Sequence, residues 1–201
     1  MGHTPFGHAG EDALDDVLRE RFERRFHHNE QSLRIARDLN LTGEVCDGIL
    51  THTGEREPDT LEGKIVRIVD RVAYINHDID DALRFGILRE SDLPSVEIEL
   101  LGPTGAKRID TLVHDIVETS QREGDIRQSG DVGGAMLTLR SFMFERVYLG
   151  PQVEPEHVRA RSVVRCIFDH LVDRGDALDE AIDYVAGMTD RFALDFARRL
   201  A

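Results

Sequence analysis

The run His3-Thr4-Pro5-Phe6-Gly7-His8-Ala9-Gly10-Glu11 brings two imidazoles and a carboxylate together near the start of the chain. His8 and Glu11 are three residues apart, so at a helix start they can face the same side and hydrogen-bond. A carboxylate that orients a histidine is the usual arrangement for general acid-base work. A mobile terminal segment is the other reading of the same residues. A second cluster, His27-His28-Asn29-Glu30-Gln31-Ser32, could carry chemistry, or could simply cap a helix through Asn29 or Ser32.

The dipeptides His77-Asp78 and His114-Asp115 invite a metal reading. Adjacent helical residues point about 100° apart, so such a pair chelates only where the backbone favours it. His114-Asp115 reads as solvated surface, and so do His52, His157 and His170.

The elements that must position these groups are helical nearly throughout, and no segment alternates for long with period two. Helices are expected at about Ala9–Arg25, Asn29–Leu39 and Gly43–Thr51, with a break over Thr53-Gly54-Glu55-Arg56-Glu57-Pro58-Asp59-Thr60. Asp59 or Thr60 can cap the next helix, about Leu61 to Phe85. In it Leu61, Ile65, Ile68, Val72, Ile75, Ile79 and Ala82 form one apolar stripe, widened by Val66, Val69 and Ala73. Asp70, Tyr74 and His77 share another face, and Asp70 has apolar neighbours on both flanks, where a carboxylate needs a partner. Loop and short helix lead to Gly102, and further helices are expected at about Ala106–Gln121, Gly134–Val147, Glu156–Arg174 and Leu178–Leu200. The expected fold class is an all-α bundle in a single domain, 1–201, without internal repeat.

The 201 residues are 40% hydrophobic and 32% charged, with a net charge of -14. So acidic a chain is poorly suited to general nucleic-acid binding, which needs clustered Lys and Arg. A local basic pocket for a phosphorylated small molecule is still compatible with it. The cations are arginines except for Lys64 and Lys107. Cys46 and Cys166 form no C-x-x-C pair, which makes a zinc knuckle unexpected and suits a reducing, cytoplasmic setting. No apolar run approaches the roughly 20 residues of a membrane span, and Met1-Gly2-His3-Thr4-Pro5 does not begin a signal peptide.

Five ordered blocks carry a resemblance that spans nearly the whole chain. They are Gly2 to Glu11; His28-Asn29-Glu30-Gln31-Ser32-Leu33-Arg34 with Asp47-Gly48-Ile49-Leu50-Thr51-His52; Leu61 to Ala82, the strongest; Leu139 to Tyr148; and Asp183 to Ala193. The sequence resembles bacterial deoxyguanosine-triphosphate triphosphohydrolases of the HD superfamily, an HD-domain helical bundle. The likeness begins just after the His-Asp pair that names the superfamily. That pair and an earlier His are therefore expected upstream of Met1, and the chain is expected to be truncated on its N-terminal side. About 1–101 would be catalytic-core helices and about 102–201 C-terminal helices.

The resemblance implies hydrolysis of a deoxynucleoside triphosphate to deoxynucleoside and triphosphate with one divalent metal ion, of which Mg, Mn, Co and Fe all suit mixed His and carboxylate shells. It puts one metal ligand at Asp70. It makes His8 the catalytic histidine, oriented by Glu11, with His3 beside the phosphates. Tyr74 would pack on the deoxyribose and Asp78 would bond the 3′-hydroxyl. His28, Asn29 and Gln31 would line the site. His8, Glu11, Asp70, Tyr74 and Asp78 are expected to converge on one cavity. The family also implies a homo-oligomer. Taken alone, this chain is expected to be inactive. Another HD-type nucleotide phosphohydrolase and a non-catalytic nucleotide-binding paralogue are the competing readings.

Overall fold

A computed structural model describes residues 2–150 and 152–200. The described residues form ten α-helices and no strand. They are α1 (Gly7–Phe22), α2 (His28–Ala36), α3 (Gly43–Thr51), α4 (Leu61–Arg84), α5 (Ser95–Leu101), α6 (Gly105–Glu123), α7 (Gly130–Met143), α8 (Glu154–Asp173), α9 (Leu178–Ala186) and α10 (Asp190–Leu200). The all-α class expected from the periodicity is the observed one. Among the described residues, no helix is long and apolar enough to cross a membrane.

Local chemistry sets several helix starts. Thr42, Thr60, Thr104 and Ser129 each accept a backbone N–H at the N-caps of α3, α4, α6 and α7. Thr60, rather than Asp59, is therefore the cap of α4. The long helix expected from Leu178 to Leu200 is broken at Gly187–Thr189. Met188 is buried there, and Thr189 accepts the Phe192 N–H, so a new helix begins.

The chain folds into two compact units. The first comprises residues 1–53 and 155–201, so α8, α9 and α10 return to pack with α1. Leu14, Val17 and Leu18 of α1 meet Val164, Ile167, Phe168 and Leu171 of α8 and Ile182 and Val185 of α9. Ion pairs Arg21–Asp169, Arg161–Asp12 and Arg165–Glu20 flank the α1–α8 contact. They are exposed and add little to stability.

The second unit comprises residues 54–154. Val72, Ile75, Ile79 and Ala82 of α4 pack on Leu112 and Ile116 of α6 and on Met136, Leu139 and Met143 of α7. The apolar stripe of α4 is thus buried only in its later part. Leu61, Ile65, Val66 and Val69 are exposed, whereas Gly63 beside them is buried and Lys64 bonds to Asp125. Within this core one charge is fully enclosed: the Arg108 side chain is 1% exposed. Its guanidinium donates to Asn76 Oδ1 at 2.8 Å and to Asp80 Oδ1 at 3.0 Å.

That enclosure orders two substitutions. Asp80→Ala leaves the buried guanidinium its Asn76 and Pro103 acceptors but removes its only carboxylate, and is expected to cost about 3 kcal/mol. Arg108→Met removes the charge and leaves the Asn76 and Pro103 carbonyls without their donor, at roughly 1–2 kcal/mol. Urea denaturation of both variants checks the order; an equal or smaller loss for Asp80→Ala would refute it.

Candidate functional site

In the first unit, a tight loop brings His3 back over the start of α1. Gly10 is buried, and a Cβ added there would lie 1.9 Å from the Pro5 carbonyl oxygen, so the loop can close onto the helix only at glycine. Phe6 turns the chain in the left-handed region at φ 64°, an unusual conformation for a non-glycine residue. Its N–H donates to Asp190 Oδ1 at 2.9 Å, and its ring packs on the α1–α8–α9 core.

The same unit fixes α2 against α1. Asp15 accepts the Phe26 N–H at 2.8 Å and Arg25 Nε at 2.9 Å, which shapes the connection between the helices. Glu11 then accepts both the His28 backbone N–H and His28 Nδ1, each at 2.9 Å. The second carboxylate oxygen also lies 2.9 Å from Nδ1. Both partners are largely buried.

This differs from the pairing expected from spacing. Glu11 orients His28, and His8 is exposed at the first turn of α1. The His8 ring stands edge-on to His3 and His28, with centroids 6.0 and 6.4 Å apart. His3 lies closer to His28, at 4.5 Å with a tilt of 31°. The three residues His3, His8 and His28 are thus brought together with Glu11.

His52, read from the sequence as a surface residue, joins them. Its Nε2 is 3.0 Å from His28 Nε2, and its Nδ1 is 2.8 Å from the Ile49 carbonyl oxygen. The only signal for it in the sequence was its place at the end of the block Asp47 to His52. Asn29 and Gln31 are engaged with the frame. Asn29 donates to the Leu50 carbonyl at 2.6 Å, tying α2 to α3. Gln31 donates to Asp183 at 2.6 Å and accepts from Arg34, tying α2 to α9.

His3, Glu11 and His28 have ligand-type atoms within 4.8 Å of one another, a spacing compatible with a cation. Here, however, the Glu11 oxygens already accept N–H groups, and both His28 ring nitrogens have partners. The cluster is bonded to itself.

In the second unit Asp70, Tyr74 and Asp78 are spaced four apart along α4, so they share one face. His77 is exposed beside Asp78 and Asp81 instead. Tyr74 Oη accepts from Arg140 Nε at 2.8 Å, and the Tyr148 hydroxyl donates to Asp78. Arg140 and Tyr148 had no role in the sequence reading beyond their place in a resembling block. A π-helical turn at Phe144–Tyr148 carries Tyr148, with the Leu149 N–H reaching back to Phe144. Such widened turns recur at functional sites. Here Val147 stays in the core while Tyr148 meets α4. Burial, reinforced by Asp78, pushes the Tyr148 phenol far above its ordinary range, so it remains a donor.

Asp70 is half-buried, but its flank is open, since Val66 and Val69 are exposed. Among the described residues, no hydrogen bond or ion pair reaches its carboxylate. The sequence expectation of an awkward carboxylate thus meets a group whose oxygens are unengaged.

Comparison with known proteins follows the same order of blocks. The HD domain family matches residues 1–75, and the phosphohydrolase-associated domain matches residues 126–182. A deoxyguanosinetriphosphate triphosphohydrolase-like protein of Caldanaerobacter subterraneus is 40% identical over 96% of this chain and 62% of its own length. One of Clostridium perfringens is 40% identical over 96% of the chain and 64% of its own length. One of Bordetella pertussis is 31% identical over 100% of the chain and 71% of its own length.

The chain belongs to the deoxyguanosinetriphosphate triphosphohydrolase-like family. It spans 62% and 64% of the length of the first two relatives. As a member of this HD-domain phosphohydrolase family, it holds its Glu11–His28 pair and its His3 and His8 rings within the stretch that the HD domain covers. Arg140 and Tyr148 fall within the phosphohydrolase-associated stretch.

The cluster makes the first unit of this family member sensitive to acid. Burial, and to a lesser degree the neighbouring His28, holds His3 below its ordinary value of 6.5 despite the Thr4 carbonyl. Burial pushes Glu11 up, but the N–H groups of His28 outweigh it, leaving Glu11 below 4.5. The unfolded chain therefore binds more protons than the folded one in both windows, and stability falls with falling pH. The loss is expected to begin as pH drops below 6.5, through His3, and to continue below 4.5, through Glu11. Glu11→Gln should remove the second decline while keeping the first. Thermal unfolding followed from above pH 6.5 to below pH 4.5 tests this; an unchanged slope below 4.5 in the variant would count against the Glu11–His28 pair.

Proposed function

We propose that the protein hydrolyses deoxynucleoside triphosphates, with water attacking the α-phosphorus. The P–O bond to the 5′-oxygen breaks, the 5′-oxygen gains a proton, and deoxynucleoside and triphosphate leave. The observation that carries this reading is the histidine group anchored by Glu11: imidazoles beside a carboxylate, in a stretch shared with relatives named deoxyguanosinetriphosphate triphosphohydrolase-like.

His3 donates Nδ1–H toward the Thr4 carbonyl, and burial keeps it neutral, so its Nε2 carries a lone pair. That suits it to accept the proton of the attacking water. His8, exposed and adjoining His3, is the group to protonate the departing 5′-oxygen. Glu11 and His28 hold the group in place through hydrogen bonds to ring and backbone.

Asp70 fits a role as one ligand of a divalent metal ion, because an unengaged, partly open carboxylate is a good donor for a hard cation. When bound, such an ion supplies charge neutralisation at phosphate oxygens. Tyr74 and Asp78 are assigned to the sugar, with the Tyr74 ring held by Arg140 and Asp78 held by Tyr148. A ring packed on C2′ would leave no room for a ribose hydroxyl.

The full-length gene product, incubated with Mn²⁺ and a panel of nucleoside triphosphates, should release triphosphate from deoxy substrates. Release of orthophosphate or pyrophosphate would assign another hydrolysis. His8→Ala should lower kcat by about 10²–10⁴-fold with KM largely kept, as for a positioned proton donor; near-normal kcat would move the proton to another group. Tyr74→Ala should narrow the ratio of kcat/KM between deoxy and ribo substrates, and an unchanged ratio would refute its sugar role.

A further inference from the structure

Two of the four ring nitrogens in the His28–His52 pair, the Nδ1 atoms, have their protonation dictated by what they face. His28 Nδ1 lies 2.9 Å from both oxygens of Glu11, an acceptor-only carboxylate, so it carries a hydrogen. His52 Nδ1 lies 2.8 Å from the Ile49 carbonyl, also acceptor-only, so it too carries a hydrogen. In a neutral imidazole the other nitrogen is then a bare lone pair. Two neutral rings would point two lone pairs at each other across the 3.0 Å between the Nε2 atoms. That contact is repulsive with no proton between the atoms, and with two protons it sets hydrogen against hydrogen. With one proton it is a hydrogen bond of ordinary length.

We infer that His28 and His52 share a single proton between their Nε2 atoms, and that His52 is thereby a positioning residue for the Glu11–His28 pair. The pair then carries one positive charge, and Glu11 carries the compensating negative one. The other titratable groups facing the pair are His3 from the N-terminal loop and His8 from α1, with ring centroids 4.5 and 6.4 Å from that of His28. Asp47 belongs to α3 itself, one turn before Thr51.

The consequence falls on His3. A positive charge fixed in the stacked His28 ring opposes a second charge on His3 and keeps it in the neutral form that can accept a proton. His52 does this without touching substrate: it supplies the second nitrogen that lets His28 hold a proton while remaining bonded to Glu11. Without His52, His28 Nε2 would face solvent or another donor, and the charge beside His3 would no longer be fixed. This consequence rests on the phosphohydrolase reading of the cluster; the shared proton does not.

Ring-nitrogen NMR on the histidine-¹⁵N-labelled protein, without substrate and near neutral pH, decides the shared proton. Both Nδ1 atoms of His28 and His52 should be protonated. Their Nε2 atoms should together bear one proton and show scalar coupling across the N–H···N bridge. A bare Nδ1 on either ring, or two uncoupled bare Nε2 atoms, would overturn the inference. The role is tested in the full-length gene product with His52→Gln, whose amide can donate to His28 Nε2 but cannot share its proton. Loss of such an outer partner typically costs 10–100-fold in activity, so kcat should fall by about tenfold or more with KM little changed. The acid limb of the kcat profile should also shift. Full kcat with an unshifted profile in His52→Gln would show that His52 only fills space. Unmodified protein that shows the bridged proton yet hydrolyses no nucleotide would reject the phosphohydrolase reading and leave the proton pair standing.

Discussion

The Glu11 carboxylate is the hinge of the first unit's chemistry. It sits largely buried on α1 and accepts two N–H groups from one residue, the backbone and ring of His28. Taking a carboxylate out of water is costly unless its oxygens are met. The two donors meet it, and in doing so they fix where α2 begins and which way the His28 ring faces. The position of His3 above that ring and the contact of its far edge with His52 follow from this one arrangement. The loop closure at Gly10 and the Asp15 contacts to Arg25 and Phe26 serve the same end, by holding the two segments at the distance the bond requires.

The second unit solves a different problem, how to hold polar side chains on a helix whose other face is core. Asp78 and Tyr74 are each held by a partner from the α7 segment, and the π-turn lets that segment supply a core residue and a hydroxyl in succession. On the opposite side of α4, Asn76 and Asp80 satisfy the buried guanidinium of Arg108. One helix thus has three kinds of surface: the apolar stripe, the face that meets Arg108, and the face that carries Asp70, Tyr74 and Asp78. Its length allows the three to be read separately along α4 (Leu61–Arg84).

Family membership and geometry answer different questions. The Bordetella pertussis relative, 31% identical and matched over 71% of its own length, shows the family to which the chain belongs. The geometry shows which side chains are already committed to the frame. Asn29 and Gln31 lie in a resembling block, yet their amides link α2 to α3 and to α9. Asp70 lies in another such block, and among the described residues its oxygens are unengaged.

The sequence alone determined the helical class, because apolar spacing of three and four is a local property visible without any partner. It also determined several helix boundaries, since caps such as Thr60 act within one turn. The reactive residue types and the family were legible too, as ordered blocks. What it could not determine was pairing. Spacing alone put Glu11 with His8, whereas the fold puts it with His28, seventeen positions away, and places His52 on the far side of that ring. It could not show that Leu61, Ile65, Val66 and Val69 would stay exposed, or that α8 to α10 would return to pack on α1. Those outcomes depend on which surfaces meet once the chain has folded, and a hydrogen bond between distant residues leaves no periodic trace in the sequence that makes it.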